Sequence, residues 1–173
     1  DAMIGGLGDD TYVLDNMLDT VTEGLGEGTD TVQSAFDVTL APFTNVENLV
    51  LTGTANIDGI GNGGNNTLTG NAGINELTGG AGDDTYIANS NDTIVEFAFG
   101  GNDTLIVTVT GTFVIPDFVE NIIFTGTGAG NATGNDEANT LTGNAGNNTL
   151  DGGLGNDVMS GGKGTDVYIV DST

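Results

Sequence analysis

Gly79-Gly80-Ala81-Gly82-Asp83-Asp84-Thr85-Tyr86-Ile87 decides how the rest of the chain is read. The same pattern, Gly-Gly-X-Gly-X-Asp-X-apolar-X, stands complete from Gly5 to Val13, from Gly152 to Ser160 and from Gly161 to Ile169. Its glycines permit the positive φ angles of a tight turn. Its sixth position sets a carboxylate on that turn. Its eighth, apolar position points inward while both neighbours point out, as the strand period of two requires. A turn and a short strand repeated every nine residues predict a parallel β-helix.

The nonapeptides belong to a longer unit. Gly5 to Tyr12 recurs as Gly79 to Tyr86, 74 residues on, and Val46-Glu47-Asn48-Leu49 recurs as Val119-Glu120-Asn121-Ile122, 73 residues on. Asp19-Thr20-Val21 and Asp30-Thr31-Val32 keep the same step in Asp92-Thr93-Ile94 and Asp103-Thr104-Leu105. One additional nonapeptide then separates Gly79 from Gly161, an insertion that a solenoid absorbs without losing register. Between the nonapeptides, Thr/Val/Ile/Leu-rich segments begin near residues 67, 76, 85, 93, 104, 112, 121, 131 and 140. Two such spacings make a coil of about 18 residues. The expectation is an all-β, right-handed parallel β-solenoid (a β-roll) of about nine to ten coils, continuous over residues 1–173. Its higher-order repeats would run approximately over 5–78, 79–160 and, in part, 161–173. Because both ends fall inside a repeat, the chain reads as a slice of a longer array.

Composition narrows the chemistry. The 173 residues include 31 Gly, no Cys, His or Trp, and a single cationic side chain, Lys163, for a net charge of −24. A surface this acidic cannot clamp phosphate, so nucleic acid and anionic membranes are excluded as partners. No stretch approaches the roughly twenty apolar residues of a membrane span. There is no imidazole base, no thiol nucleophile and no soft ligand for zinc or copper. Carboxylates and backbone carbonyls remain, and these are ligands for calcium.

The repeated nonapeptide resembles the repeats-in-toxin (RTX) family of secreted bacterial calcium-binding proteins. That resemblance implies calcium held between turns stacked one coil apart, by the sixth-position Asp and by turn carbonyls. The sixth positions here are Asp1, Asp10, Asn66, Asn75, Asp84, Asn139, Asn148, Asp157 and Asp166. Four are Asn, whose amide oxygen brings no charge, and stacked asparagines can instead hydrogen-bond along the solenoid axis. The expected calcium sites are therefore gaps with two carboxylates one coil apart: Asp10 with Asp30, Asp84 with Asp103, and Asp1 with Asp19. Asp157 and Asp166 each pair with an Asn and are expected to bind more weakly.

Glu47 and Glu120 stand about four coils apart, too far for the paired carboxylates of a glycosidase, and read as corner residues. Met3, Tyr12, Leu68, Leu77, Tyr86, Leu141, Leu150, Met159 and Tyr168 occupy eighth positions and are expected in the core. The function this reading favours is non-enzymatic: a secreted, calcium-binding structural or adhesive array at the bacterial cell surface, self-associating by end-to-end stacking. The alternative is an accessory folding, secretion or polysaccharide-binding domain of a secreted lipase, protease or epimerase.

Overall fold

The computed structural model describes residues 1–171, which form strands and turns with no helix. One face is built from the even strands: β2 (Thr11–Leu14), β4 (Thr31–Ser34), β6 (Asn48–Leu51), β8 (Thr67–Thr69) and β10 (Thr85–Ala88). It continues through β12 (Thr104–Val107), β14 (Asn121–Phe124), β16 (Thr140–Thr142) and β18 (Val158–Ser160). The odd strands lie opposite: β1 (Ala2–Ile4), β3 (Thr20–Thr22), β5 (Val38–Thr39), β7 (Gly59–Ile60) and β9 (Glu76–Thr78). They end with β11 (Thr93–Val95), β13 (Gly111–Val114), β15 (Gly130–Thr133), β17 (Thr149–Asp151) and β19 (Val167–Ile169). The even strands make one nine-stranded sheet in sequence order, and each described pairing in the molecule is parallel, so about nine coils stack into a β-solenoid. The segment 88–133, which lacks complete nonapeptides, keeps the same parallel register.

The strands form because Thr, Val, Ile and Leu alternate across a sheet that is dry on one side. Along the even sheet the register aligns Tyr12, Val32, Leu49, Leu68, Tyr86, Leu105, Ile122, Leu141 and Met159 in one inward column. Outward, the same register stacks Thr11, Thr31, Asn48, Thr67, Thr85, Thr104, Asn121 and Thr140. Leu68, Leu77, Tyr86, Leu141 and Leu150 are fully buried, Tyr12 is nearly so, and Met3 and Met159 pack against the core while partly exposed. Truncating Leu141 to Ala would cost roughly 2–5 kcal/mol through lost contacts and the void left in a closed column. Tyr168 departs from the expectation: the residue is 48% exposed. Its strand β19 has one neighbour, β17, so only one side of the ring is covered, and its hydroxyl turns to accept the Gly161 N–H at 2.8 Å.

The odd face is broken into β1–β3, β5–β11 and β13–β19. The breaks fall after β3 and after β11, at equivalent points of the long repeat. Each is followed by a strand-free loop, Glu23 to Asp30 and Glu96 to Asp103. These loops press onto the preceding coil. A Cβ on Gly101 would overlap the Gly82 carbonyl, which permits the bond from Gly82 N–H to Gly100 O at 2.6 Å. In the same loops the left-handed position is Gly26 (φ 74°) in one repeat and Phe99 (φ 69°) in the other.

Candidate metal centre

Two ladders of side chains staple the turns, and they run in opposite directions. In the outer ladder a fifth-position oxygen accepts from the following coil: Asp9 Oδ1 from Thr29 N–H and Asp83 Oδ1 from Asn102 N–H, each at 2.9 Å. In the inner ladder an acidic side chain accepts from the preceding coil. Asp30 Oδ1 takes the Asp10 N–H (2.9 Å), Asp84 Oδ1 the Asn66 N–H (2.7 Å) and Asp103 Oδ1 the Asp84 N–H (2.7 Å). Glu47 and Glu120 extend it, accepting from the N–H groups of Asp30 (2.9 Å) and Asp103 (2.7 Å). They are thus corner residues with a definite task, holding the backbone of the Asp one coil back.

Each Asp in this ladder spends one oxygen on the staple and turns the other inward. At two levels these inward oxygens meet a glutamate. Asp84, Glu96 and Asp103 bring carboxylate oxygens within 4.8 Å of one another and are all buried; Asp10, Glu23 and Asp30 form the same group one long repeat earlier. Glu96 follows β11 at the break in the odd sheet and reaches across to the even face, and Glu23 does so after β3. The Tyr86 hydroxyl donates to Glu96 Oε1. Inward-facing Asp30, Asp84 and Asp103 are at most 1% exposed.

This arrangement is costly without a counter-charge. Among the described residues, the buried side-chain oxygens lacking a hydrogen-bond partner are Asp10 Oδ2, Tyr12 Oη, both Glu23 oxygens, and Oδ2 of Asp30, Asp84 and Asp103. All lie in the two groups, and unpaired buried charge of this kind costs several kcal/mol. In the metal-free protein the penalty raises proton affinity instead. Burial, reinforced by the charges of Glu96 and Asp103, pushes the Asp84 carboxyl up to about 7 against the opposing Asn66 N–H. Burial pushes Asp103 to about 6, with the Glu96 charge adding to it. Glu23, Glu96 and Glu120 are raised by the same desolvation, and the Tyr86 phenol is held protonated by burial and by Glu96.

The donor set fits a hard cation. It offers only oxygen, carries three carboxylates, and converges: a methyl group built on Gly79 would overlap Tyr86 Oη, Asp84 Oδ2 and Glu96 Oε1, and one on Gly5 would overlap Tyr12 Oη, Asp10 Oδ2 and Glu23 Oε1. Oxygen-only ligands with high negative charge suit calcium.

The structure therefore brings Asp10 to Asp30 and Asp84 to Asp103, and adds Glu23, Glu96 and two phenols to those pairs. Glu23 and Glu96 lie outside the nonapeptides, which hid them, yet both end a recurring Thr-apolar strand 73 residues apart. Asp1 and Asp19 also meet, with Asp15, in a third carboxylate group, of which only Asp19 is buried. Asp157 and Asp166 are half-buried and each accepts an Asn N–H, from Asn139 and Asn148, at 2.9 Å; among the described residues neither belongs to a group of three carboxylates.

No curated protein matches the chain significantly. Residues 60–95 and 133–168 match the family model of the RTX calcium-binding nonapeptide repeat in four copies. With its all-β stack of parallel coils, the chain carries the calcium-binding repeats of the RTX family.

Proposed function

We propose that calcium binds at the two Asp–Glu–Asp groups and stiffens a secreted, extracellular structural or adhesive array of which this chain is a segment. The observation that carries the calcium reading is the confinement of the unpartnered buried oxygens to Asp10, Tyr12, Glu23, Asp30, Asp84 and Asp103. A divalent ion at each level removes the repulsion between carboxylates and ties the loop after β3 or β11 to two coils of the even sheet. The array reading is supported by the recurrence of the whole site, loop included, at a 73–74-residue step in a solenoid whose coils contact only their neighbours. The family's occurrence in secreted bacterial proteins and the absence of cysteine agree with that setting.

Terbium tests the site directly, because a phenol close to a bound lanthanide sensitises its emission. The chain has three tyrosines and no tryptophan, and Tyr12 and Tyr86 border the two groups. Tyrosine-excited emission should saturate near two equivalents and be displaced by excess calcium. It should fall by about half in Tyr86→Phe and stay unchanged in Tyr168→Phe, following the one-phenol-per-site geometry. Emission indifferent to the Tyr12→Phe/Tyr86→Phe double substitution would refute the assignment.

A further inference from the structure

The four Asn turns raise a question that calcium at the Asp groups leaves open. They are Gly61-Asn62 to Asn66, Gly70-Asn71 to Asn75, Gly134-Asn135 to Asn139 and Gly143-Asn144 to Asn148. The residues matched to the calcium-binding repeat contain all four, but of the six triad carboxylates only Asp84.

These turns share one bonding scheme. Inside each, the sixth-position Oδ1 accepts the N–H of the second-position Asn, at 2.7–2.9 Å. The second-position Oδ1 accepts the N–H two residues on, at 2.7–2.9 Å. Both amide nitrogens then donate to main-chain carbonyls one coil back. Asn62 reaches Phe43 O (3.2 Å) and Val46 O (2.8 Å), and Asn66 reaches Val46 O and Glu47 O, both at 3.3 Å. One long repeat later, Asn135 reaches Pro116 O (2.8 Å) and Val119 O (3.0 Å), and Asn139 reaches Val119 O (3.2 Å) and Glu120 O (3.4 Å). Asn71, Asn75, Asn144 and Asn148 do the same toward Thr52, Ala55, Ile57, Gly128 and Gly130.

Carbonyl oxygens converging from one coil onto the turn of the next normally describe a cation site. Here the N–H donors of neutral amides meet them, and none of the Asn oxygens is a buried atom without a partner. An aspartate at the same position has nothing to donate: Asp84 leaves Oδ2 unpartnered where Asn66 satisfies both of its side-chain atoms. Satisfied buried networks rigidify, whereas half-satisfied ones need a counter-ion.

We infer that the four Asn turns are cation-free clasps, in which asparagine amides bridge successive coils in place of a metal. Calcium then governs only the two Asp–Glu–Asp junctions, and the coils carrying β8, β9, β16 and β17 hold their structure without it. This rests on the calcium reading for the junctions but not for the clasps, so the two can fail separately.

Hydrogen–deuterium exchange on the full chain, with calcium and with a chelator at pH 7.5, tests it. Peptides covering 61–78 and 134–151 should keep their protection within about tenfold on chelation, while those covering 5–30 and 79–103 lose most of theirs. In Asn139→Asp, which removes both amide donors and sets a carboxylate beside Asp157, the 134–151 region should become chelator-sensitive and the chain should take up a third calcium equivalent. Two equivalents bound by the wild type, with the Asn regions exchanging as fast as the junctions in chelator, would overturn the clasps and leave the calcium reading standing. No calcium bound, with the Asn regions protected throughout, would do the reverse. An Asn139→Asp protein with unchanged stoichiometry and unchanged exchange would also overturn the clasps.

Discussion

Asp84→Asn should stabilise the calcium-free fold and give most or all of that gain back when calcium is added. With calcium about a hundredfold above its dissociation constant, losing one site costs about 2.7 kcal/mol of ligand-linked stability. In chelator at pH 7.5 the same substitution should stabilise the fold. It deletes a buried carboxyl whose pKa is raised to about 7 and which faces Asp103 and Glu96. A gain on the order of 2–4 kcal/mol is expected, corresponding to a Tm rise of roughly 5–15 °C for a chain of this length. Thermal unfolding of wild type and variant, each with calcium and with chelator, reads all four values. A variant less stable than wild type under both conditions would show that Asp84 serves packing or hydrogen bonding and holds no metal. Asn148→Ala is the control: it removes the bond to Gly130 O and should destabilise under both conditions alike.

The second large effect is a pH dependence confined to the calcium-free protein. Asp84 and Asp103 carry folded-state pKa values of about 7 and about 6, above the ordinary 3.8 of the unfolded chain. Both states hold these two protons below about pH 4, so Asp84 and Asp103 cost no stability there. As pH rises the unfolded chain releases protons that the folded chain retains, and stability falls by about 1.4 kcal/mol per pH unit for each retained proton. The loss should run from about pH 4 to pH 7 and then level off. Glu96 and Glu23, also raised, act in the same direction. Calcium replaces the protons, so saturating metal should flatten the profile above pH 5. Denaturant titrations at pH 5 and pH 8 in chelator would show it, and equal stability at the two values would count against buried, unneutralised carboxylates.

Much of this architecture was legible in the residues. Strand starts read near 67, 76, 85, 93, 104, 112, 121, 131 and 140 fall at or within one residue of the starts of β8 to β16, because the inward Leu/Ile/Tyr and outward Thr/Asn alternate at period two whether or not glycines are present. The metal groups were legible only in part. Sixth-position aspartates announced themselves through the nonapeptide, and their coil partners Asp30 and Asp103 through the long repeat. Glu23 and Glu96 did not, since their position depends on the loop leaving the odd sheet after β3 and β11, a break that no local pattern of Thr and Val encodes. One signal was available. The eighth position is Leu behind each Asn turn (Leu68, Leu77, Leu141, Leu150) but Tyr at both triads (Tyr12, Tyr86), where a hydroxyl has polar company to meet. The Asn clasps were legible as axial ladders, but their targets, the carbonyls of Val46 and Val119, emerge only once coils of unequal length are stacked.

The most direct test of the account is where the metal sits. An anomalous difference map from crystals grown with calcium or terbium should show two strong peaks, one among Asp10, Glu23 and Asp30 and one among Asp84, Glu96 and Asp103, with none at the turns around Asn66, Asn75, Asn139 and Asn148. Peaks at the Asn turns, with none at the two Asp–Glu–Asp groups, would contradict it.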